Sequence, residues 1–496
     1  MNSEENRSCI EAEKEAEGLS EAKREALSFI DRNAGIFTGV SRKIWENPEL
    51  SLKEYEAAKC YTRILRENGF EVENGLGGME TAFCGRYGSG RPVIGFLGEF
   101  DALSGLSQEA AVPFHREIVR GGPGHGCGHN MLGAGDLAAA FAVRDYLQRS
   151  GREGTVIFFG CPGEEGGAGK AFLARDGAWR MLDAALTWHP NDVNEVVSGT
   201  NNSCIQVMYR FHGVSAHAAG DPENGRSALD AVELMNIGVQ FLREHMGSDC
   251  RVHYAITDTG GISPNVVQDY ASVLYMVRAN KVKDSIALQK RVDQIAQGAA
   301  LMTETTFERC FIDGTAELVP NFVLEEVLYT NFERIGVPTF TPEEMMLACE
   351  VKKTCPVCES PGIGSVFSEE AGAFARKMSG SGTKAMNDFL MPLVHTNGFV
   401  PGSSDVGDVG WQTPTAQIHV SAFVSGAPGH SWQNVSCGGS SIGDKALLHA
   451  GKVLACSAID LLEDPDLLEK ARAEFEQRTK GGYVCPIEDG AVPVAV

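Results

Sequence analysis

The sequence has 496 residues, of which 43% are hydrophobic, and a formal net charge of −23. This length allows two or three domains with a substantial core, so disorder is not the default. The negative charge makes nucleic acid a poor partner, and no apolar run of about 18 residues predicts a membrane span. The start is polar and acidic and has no signal-peptide pattern, so we expect residues 1–18 to form a flexible leader and the protein to be cytoplasmic.

Short apolar strands alternate with helices in the first part of the chain. The predicted helices are residues 54–70 and 131–147, and the predicted buried strands are 92–98, 155–160 and 184–188. This alternation is typical of an α/β sandwich. We therefore expect the first part of an α/β domain over residues 19–197.

The pattern changes near Ser198 to the order strand, helix, strand, strand, helix, strand. The six predicted segments are 205–213, 227–245, 252–261, 271–279, 286–302 and 305–314. This is the order of a ferredoxin-like α+β unit. We expect an inserted domain over residues 198–317, after which the first domain resumes over 318–496.

The segment GPGHGCGHN is the first of three clusters of metal-binding side chains. Cys127 and His129 are two residues apart in a glycine-rich turn before a predicted helix, and a thiolate and an imidazole suit a metal such as zinc, with manganese or nickel as alternatives. His125 is a lesser candidate, and a surface loop histidine is the simpler interpretation.

The second cluster, CPGEEGGAGK, directly follows a predicted buried strand. Two adjacent carboxylates at that position are costly unless a positive group neutralises them. Glu165 can ligate a metal, while Glu164 can act as general base toward a water. A solvated acidic turn is the alternative.

Further candidates follow predicted strands or lie in loops. The third cluster is TWHP, in which His189 directly follows the predicted strand 184–188. His430 lies in the loop SGAPGHSW. Asp101 also follows a strand and could orient a ligating histidine, whereas the role of Glu99 stays undetermined. A structural role is the alternative for His189.

The predicted lid domain carries three more polar candidates. His217 lies in a loop of small residues and could donate a hydrogen bond to a developing oxyanion. Asn265 follows in SPNVVQD, and Arg278 could pair with a substrate carboxylate. An ordinary solvated strand residue is the alternative for Arg278.

Taken together, these motifs resemble the aminoacylase/carboxypeptidase type of two-metal amidohydrolases. The resemblance rests on GHGCGHN, CPGEEGG, WHP, SAHAA with GRSALDA, GISPNVVQ with VRA, and PGHS. GEFDALSGLSQEA, QGAALMTETT and SSDVGDVGWQTPTAQ are similar to the branch that hydrolyses p-aminobenzoyl-glutamate. The similarity runs over residues 30–486.

The resemblance implies that the α/β domain (residues 19–197 and 318–496) is catalytic, that the inserted domain (198–317) is a lid and dimerisation domain, and that two divalent metal ions (Zn, Mn or Ni) bind. The implied ligands are Cys127, His129, Glu165, His189 and His430. It implies Glu164 as base, His217 reaching a neighbouring subunit's site, and Asn265 and Arg278 contacting substrate. Many relatives have Asp where this chain has Asn130, and Asp-Met-Asp where it has Glu99-Phe100-Asp101, so the metal preference is not carried over.

The expected reaction is cleavage of an N-acyl amino acid amide, with p-aminobenzoyl-glutamate as the preferred substrate. The related enzyme has two homologous subunits, so the resemblance implies a homodimer or a heteromer with a sister chain. An N-acyl amino acid deacylase, a dipeptidase, a non-catalytic partner subunit and a zinc-stabilised structural protein are alternatives. Cys355 and Cys358 form one CPVC pair without a second pair, which favours an ordinary loop over a redox or metal site.

Overall fold

Two β-sheets organise the chain in the computed structural model, which describes residues 18–495. Apart from Gly18, the expected leader lies outside these residues. Seven strands form the larger sheet, namely β1 (Glu71–Asn74), β2 (Phe83–Ser89), β3 (Val93–Glu99), β4 (Gly154–Cys161), β5 (Ala184–Asn191), β6 (Glu195–Val196) and β11 (Thr415–Ser421).

The larger sheet has the order β1-β2-β4-β3-β5-β11-β6. Its four central strands, β3, β4, β5 and β11, run parallel, while β1, β2 and β6 are antiparallel to their neighbours. Every residue of β3 and β4 is buried, as expected for parallel strands covered on both faces. Because the carboxyl ends of parallel strands meet at one edge, this topology brings the loops after β3, β4 and β5 together.

The chain also forms fifteen α-helices within the described range. They are α1 (Glu21–Arg32), α2 (Ala34–Glu46), α3 (Tyr55–Glu67), α4 (His129–Ser150), α5 (Gly169–Arg175), α6 (Ala228–Leu242), α7 (Val282–Thr303), α8 (Phe322–Ile335), α9 (Pro342–Lys352), α10 (Gly364–Phe367), α11 (Glu369–Met378), α12 (Val406–Gly410), α13 (Trp432–Gly438), α14 (Ser441–Glu463) and α15 (Pro465–Arg478).

Helix α4 lies at the centre of the main core and positions the first metal-binding cluster. It contacts β3, β4 and β5 on one side and α14 on the other. It is buried over most of its circumference, which explains why its sequence is apolar on nearly every side. A Cβ added at Gly451 of α14 would lie 2.8 Å from the Cβ of Ala138, so the two helices pack closely because that position is glycine.

Four strands form the second sheet, which we call the lid sheet. They are β7 (Ser203–His212), β8 (Arg251–Asp258), β9 (Tyr270–Ala279) and β10 (Thr306–Thr315), in the order β10-β7-β9-β8 with all neighbours antiparallel. Helices α6 and α7 cover one face of this sheet. The predicted fold class, an α/β domain with an inserted ferredoxin-like α+β unit, is confirmed by this topology.

The domain limits at residues 197 and 317 stay predictions, although the lid sheet lies between them. Among the described residues, no helix is both long enough and apolar enough to span a membrane.

Candidate metal and catalytic centre

The turn before α4 brings Cys127 and His129 to the edge of the larger sheet. Gly128 precedes the helix with a φ of 80°, a left-handed conformation that suits glycine. His129 begins α4 and is fully buried. Its Nδ1 lies 2.8 Å from Asp101 Oδ1, so Nδ1 carries the proton and Nε2 is left to face the centre.

The ends of β3, β4 and β5 supply the other candidates, as the parallel topology requires. Asp101 follows β3, Glu164 and Glu165 follow β4, and His189 lies near the end of β5. His189 donates from Nδ1 to the carbonyl of Pro190 at 2.7 Å, which leaves Nε2 3.3 Å from Cys127 Sγ. Burial lowers the pKa of His189 to about 3.

His430 arrives from the distant loop before α13. Its Nε2 lies 3.5 Å from Glu165 Oε1, and its side chain is half exposed. Its φ is 52°, an uncommon conformation for a residue with a side chain. The surrounding fold therefore holds His430 in a strained conformation beside Glu165.

These side chains form three compact groups of metal-ligating atoms. Within each group, the ligand atoms all lie within 4.8 Å of one another, and the groups are Cys127, His129, His189; Cys127, Glu165, His430; and Glu99, His129, Glu164. Cys127 belongs to two of these groups and so connects them. All five predicted ligands are thus brought together, with Glu164 alongside.

Asp101 connects the two halves of the cluster. Its carboxylate accepts hydrogen bonds from His129, from the Ser51 hydroxyl at 2.7 Å and from the Glu165 backbone N–H at 3.0 Å. Burial alone would raise the pKa of Asp101, but the His129 contact and these hydrogen bonds lower it to about 2. Asp101 thereby fixes both a ligand histidine and the loop that carries the two glutamates.

A second buried network stands behind the cluster. Lys170, in the first turn of α5, is fully buried, and its Nζ lies 2.6 Å from both Glu99 Oε1 and Asp405 Oδ1. Burial opposes ionisation of Glu99, yet Lys170 and then His129 hold the pKa of Glu99 below its usual range. Burial likewise disfavours the charged form of Lys170, but the two carboxylates raise its pKa well above normal.

The polar atoms of the cluster fit a divalent cation better than they fit one another. His129 Nε2 and Glu99 Oε2 are 3.3 Å apart, but within the described residues neither makes a hydrogen bond, and buried Glu165 Oε1 also lacks one. Burial, together with the charges of Glu99 and Glu165, raises the pKa of Glu164 well above its ordinary value. Burial and the charge of Glu165 do the same for the Cys127 thiol. A cation would supply the missing partners and the missing positive charge.

A cavity of about 550 Å³ opens over this cluster and reaches the lid sheet. Cys127, Glu164, His189 and His430 line one side. The lid strands contribute the opposite wall, including Arg278, whose Nη1 donates to the Ser403 hydroxyl at 2.7 Å.

His217 and Asn265 do not line this cavity. Both are exposed, and they are neighbours on the lid, where the Ala218 N–H donates to the Asn265 carbonyl at 3.0 Å. His217 Nδ1 accepts from the backbone N–H groups of Ala219 and Gly220 at 3.2 and 3.0 Å. The ring proton therefore resides on Nε2, which makes His217 a hydrogen-bond donor toward solvent.

The structure corrects one expectation, about His125, and gives Asn130, whose role the sequence left open, a structural contact. The interpretation of His125 as a surface histidine is wrong, because it is buried and its Nε2 lies 3.2 Å from the Ile44 carbonyl. Asn130 is also buried, and its amide donates to the Ser41 hydroxyl and the Gly438 carbonyl, so it anchors the helix start. The cysteines in the described part of the chain, including Cys355 and Cys358, are free thiols.

Sequence reasoning missed three side chains of the site. Lys170 and Asp405 stand in the motifs CPGEEGGAGK and SSDVGDVGWQTPTAQ, but nothing in the sequence signals that they are buried against each other. His419 lines the cavity next to His189 and pairs through Nδ1 with buried Glu195 at 2.9 Å. Its place opposite His189 depends on the pairing of β11 with β5, which the sequence does not specify.

The chain is similar to known hydrolases over nearly its full length. It is 42% identical to one of the two subunits of p-aminobenzoyl-glutamate hydrolase from Escherichia coli (strain K12), over 94% of this chain and 97% of that one. It is 30% identical to the other subunit of the same hydrolase, over 50% of this chain and 58% of that one.

A solved structure shares the fold. The aminobenzoyl-glutamate utilization protein from Klebsiella pneumoniae superimposes with a TM-score of 0.55 at 15% identity, covering 86% of this chain and 97% of that one. The model of peptidase family M20/M25/M40 matches residues 95–431. The expectation of a hydrolase acting on a small amide bond is confirmed by these matches: the chain belongs to peptidase family M20/M25/M40.

Proposed function

We propose that this protein hydrolyses p-aminobenzoyl-glutamate to p-aminobenzoate and glutamate. The 42% identity to one chain of the E. coli hydrolase supports the choice of substrate. The observation that carries the chemistry is the placement of Glu164, which stands beside two groups of ligand atoms that share Cys127. A second carboxylate next to a ligating one is what proton transfer at a metal centre requires.

Cys127, His129, Glu165, His189 and His430 would hold two divalent ions, for which zinc, manganese and nickel are candidates. When bound, such ions polarise the amide carbonyl and make water acidic enough to lose a proton near neutral pH. Asp101 keeps His129 in the tautomer that presents Nε2 to the centre.

The chain's own residues then divide the remaining work. Glu164 takes a proton from the attacking water and later transfers it to the leaving nitrogen. Arg278, steadied by its hydrogen bond to Ser403, binds a carboxylate of the glutamate portion. Lys170 keeps Glu99 charged and pairs with Asp405 behind the centre, so that the electrostatic field there is preorganised.

His217 completes the site of a neighbouring subunit in this proposal. It is exposed, it lies outside the cavity of its own chain, and its Nε2–H is free to donate to a developing oxyanion. Asn265 beside it would contact the same substrate. The free edge of β8, with partly exposed Tyr254 and Ile256, offers a strand to which the lid of a second subunit can pair.

The identity of that neighbour is a second part of the proposal. The E. coli relatives are the two different chains of one hydrolase, and both are similar to this chain. We favour an assembly through the lid, either with a second copy or with a homologous sister chain.

The test is release of glutamate from p-aminobenzoyl-glutamate by the purified full chain loaded with manganese or zinc. We expect turnover that a chelator abolishes and metal restores, while the folded state survives chelation. An N-acyl amino acid and a dipeptide, assayed in parallel, determine whether another amide is the better substrate. Absence of glutamate release from the metal-loaded chain, both alone and together with a homologous sister chain, would refute the proposal.

A further inference from the structure

One carboxylate in the cavity has no part in the proposed mechanism. Asp313 of β10 lines the wall that the lid sheet contributes and is only 3% exposed. Gln206 donates from Nε2 to its Oδ2 at 3.0 Å. No residue that the structure describes donates a hydrogen bond to Oδ1, so one acceptor of a buried acid faces the cavity without a partner.

A break in the strand pairing aims Asp313 at the cavity. Phe311 pairs with Val207 and Asp313 pairs with Gln206, so Ile312 is the extra residue of a β-bulge. In regular pairing, Asp313 would stand opposite Ile205 and point into the apolar core under the lid helices. Bulges of this kind redirect side chains near functional sites.

The surroundings of Asp313 define what it can bind. Asp313 pairs with Gln206 on β7, whereas Arg278 on β9 pairs with Cys204, two residues along β7 from Gln206. Asp313 and Arg278 therefore stand two strands and two residues apart, with their Cα atoms roughly 12 Å from each other. Arg278 forms no ion pair with Asp313, and Ser403 is its hydrogen-bond partner. The wall therefore presents one hydrogen-bond acceptor and one cationic donor as separate anchors for an elongated ligand.

The charged form of Asp313, together with Arg278, matches the proposed substrate in one way. The carboxylates and the carbonyl of the substrate are acceptors, which a charged carboxylate on the wall would repel or leave unpaired. Its hydrogen-bond donors are the scissile amide N–H and the aryl amine, and the amide has to lie at the centre beside Glu164. We propose that Asp313 is a specificity-determining residue that accepts a hydrogen bond from the aryl amine of the substrate; this rests on the proposed function.

The experiment compares three substrates that differ only at the para position: p-aminobenzoyl-glutamate, benzoyl-glutamate and p-nitrobenzoyl-glutamate. We expect the wild-type protein to prefer the amine over the unsubstituted ring by about tenfold in kcat/KM, because a site built for a donor rejects analogues that lack it. In Asp313→Asn, the amide oxygen would keep the Gln206 contact and the NH₂ would face the cavity. The preference should then shift by at least about tenfold from the amine toward the nitro group.

Asp388→Asn is the matched control, because Asp388 is exposed and, within residues 18–495, pairs with Lys384 on the surface. It should keep the wild-type ratio between the substrates. If Asp313→Asn does not fold, as judged by thermal unfolding, the smaller Asp313→Ser variant takes its place and should lose the amine preference. An unchanged ratio in either folded variant would overturn the assignment of Asp313.

Calorimetry distinguishes a wrong assignment of Asp313 from a failure of the proposed function. If the wild-type protein hydrolyses none of the three substrates, the proposed function is wrong, and binding of p-aminobenzoate against benzoate still tests Asp313. Tighter binding of the amine by the wild type, lost in Asp313→Asn, would support the role of Asp313. Equal binding of the two acids by the wild type, or no binding of either, would overturn it.

Discussion

The role of Glu164 can be separated from metal binding by a substitution that changes a single atom of the carboxylate. Replacing its carboxylate by an amide in Glu164→Gln preserves the shape but removes the proton acceptor. We expect kcat to fall by about 100-fold or more, because general base catalysis has this typical size. Metal content, measured on the purified variant, should stay at the wild-type level.

The neighbouring residue provides the matched control. Glu165→Gln alters a candidate ligand and should lose bound metal as well as activity, since Glu165 lies in one of the two groups that contain Cys127. If Glu164→Gln lost metal to the same extent, or kept full activity, Glu164 would not be the base.

Lys170 shows how strongly a single buried charge supports the site. Removing it in Lys170→Met would leave Glu99 and Asp405 as uncompensated buried acids. Losing one partner of a buried ion pair costs about 3–5 kcal/mol, so we expect a decrease of this size in the free energy of unfolding, measured by urea denaturation.

A second substitution tests whether uncompensated buried negative charge causes this loss of stability. Asp405→Asn in the Lys170→Met background removes one of the two stranded charges and should recover part of the loss. Lys353→Met is the control, because its pair with Glu350 is exposed and is expected to contribute less than about 1 kcal/mol. Equal effects of the two lysine variants would contradict a buried network.

At the scale of elements, α14 and the end of α8 are joined through His449. Its Nε2 lies 2.9 Å from the Gly336 carbonyl, and burial lowers its pKa to about 4 from the ordinary value of 6.5. The folded state therefore favours the neutral form of His449. The contribution of this group to the free energy of unfolding is complete above pH 6.5 and is lost as the pH falls toward 4. Between pH 7 and 4.5 the loss should be about 2 kcal/mol.

The comparison with His449→Gln isolates this contribution from other titrating groups. The variant should be less stable at pH 7 but should lose less stability on acidification than the wild type, as measured by denaturation at each pH. Parallel pH profiles for the two proteins would mean that His449 titrates alike in the folded and unfolded states.

The elements differ in how well the sequence announces them. Strands β3, β4 and β5 are short apolar runs before polar turns, α4 is an apolar run too long for a strand, and α14 has a long periodic pattern, so all five are predictable. Strand β1 is mostly exposed and β6 has two residues, so neither has a hydrophobic pattern. The bulge that turns Asp313 toward the cavity arises from pairing with β7 and leaves no local sequence signal.

The residues of the candidate site also divide into those that the sequence predicts and those that it does not. Cys127, His129, Glu165 and His189 were predictable because their residue types are good metal ligands and they lie in glycine-rich turns or at strand ends. Lys170 and Asp405 were not, because a buried ion pair is defined by two distant segments that meet only in the fold. The identity of the neighbours, not the residue type, determines such roles.

For the whole molecule, the central question is whether one chain contains a complete active site. Glu164 and the candidate ligands lie together, whereas His217 and Asn265 face outward on the lid. If the site is completed across a two-fold dimer, His217→Ala and Glu164→Gln each abolish activity but damage different halves of a shared site. Each variant alone should then be nearly inactive.

Mixing the two variants under conditions that allow exchange of chains should restore activity. In a mixed dimer, the chain with intact Glu164 receives intact His217 from its neighbour, while the other site has both defects. Random exchange at equal amounts makes half of the dimers mixed, so about a quarter of the wild-type activity per site is expected. Mixing Glu164→Gln with Glu165→Gln, which damage the same half, should restore nothing. If the mixture of His217→Ala and Glu164→Gln also stays inactive while sedimentation shows exchanged dimers, His217 does not act across that interface. Rescue only on addition of a homologous sister chain would identify that chain as the natural neighbour.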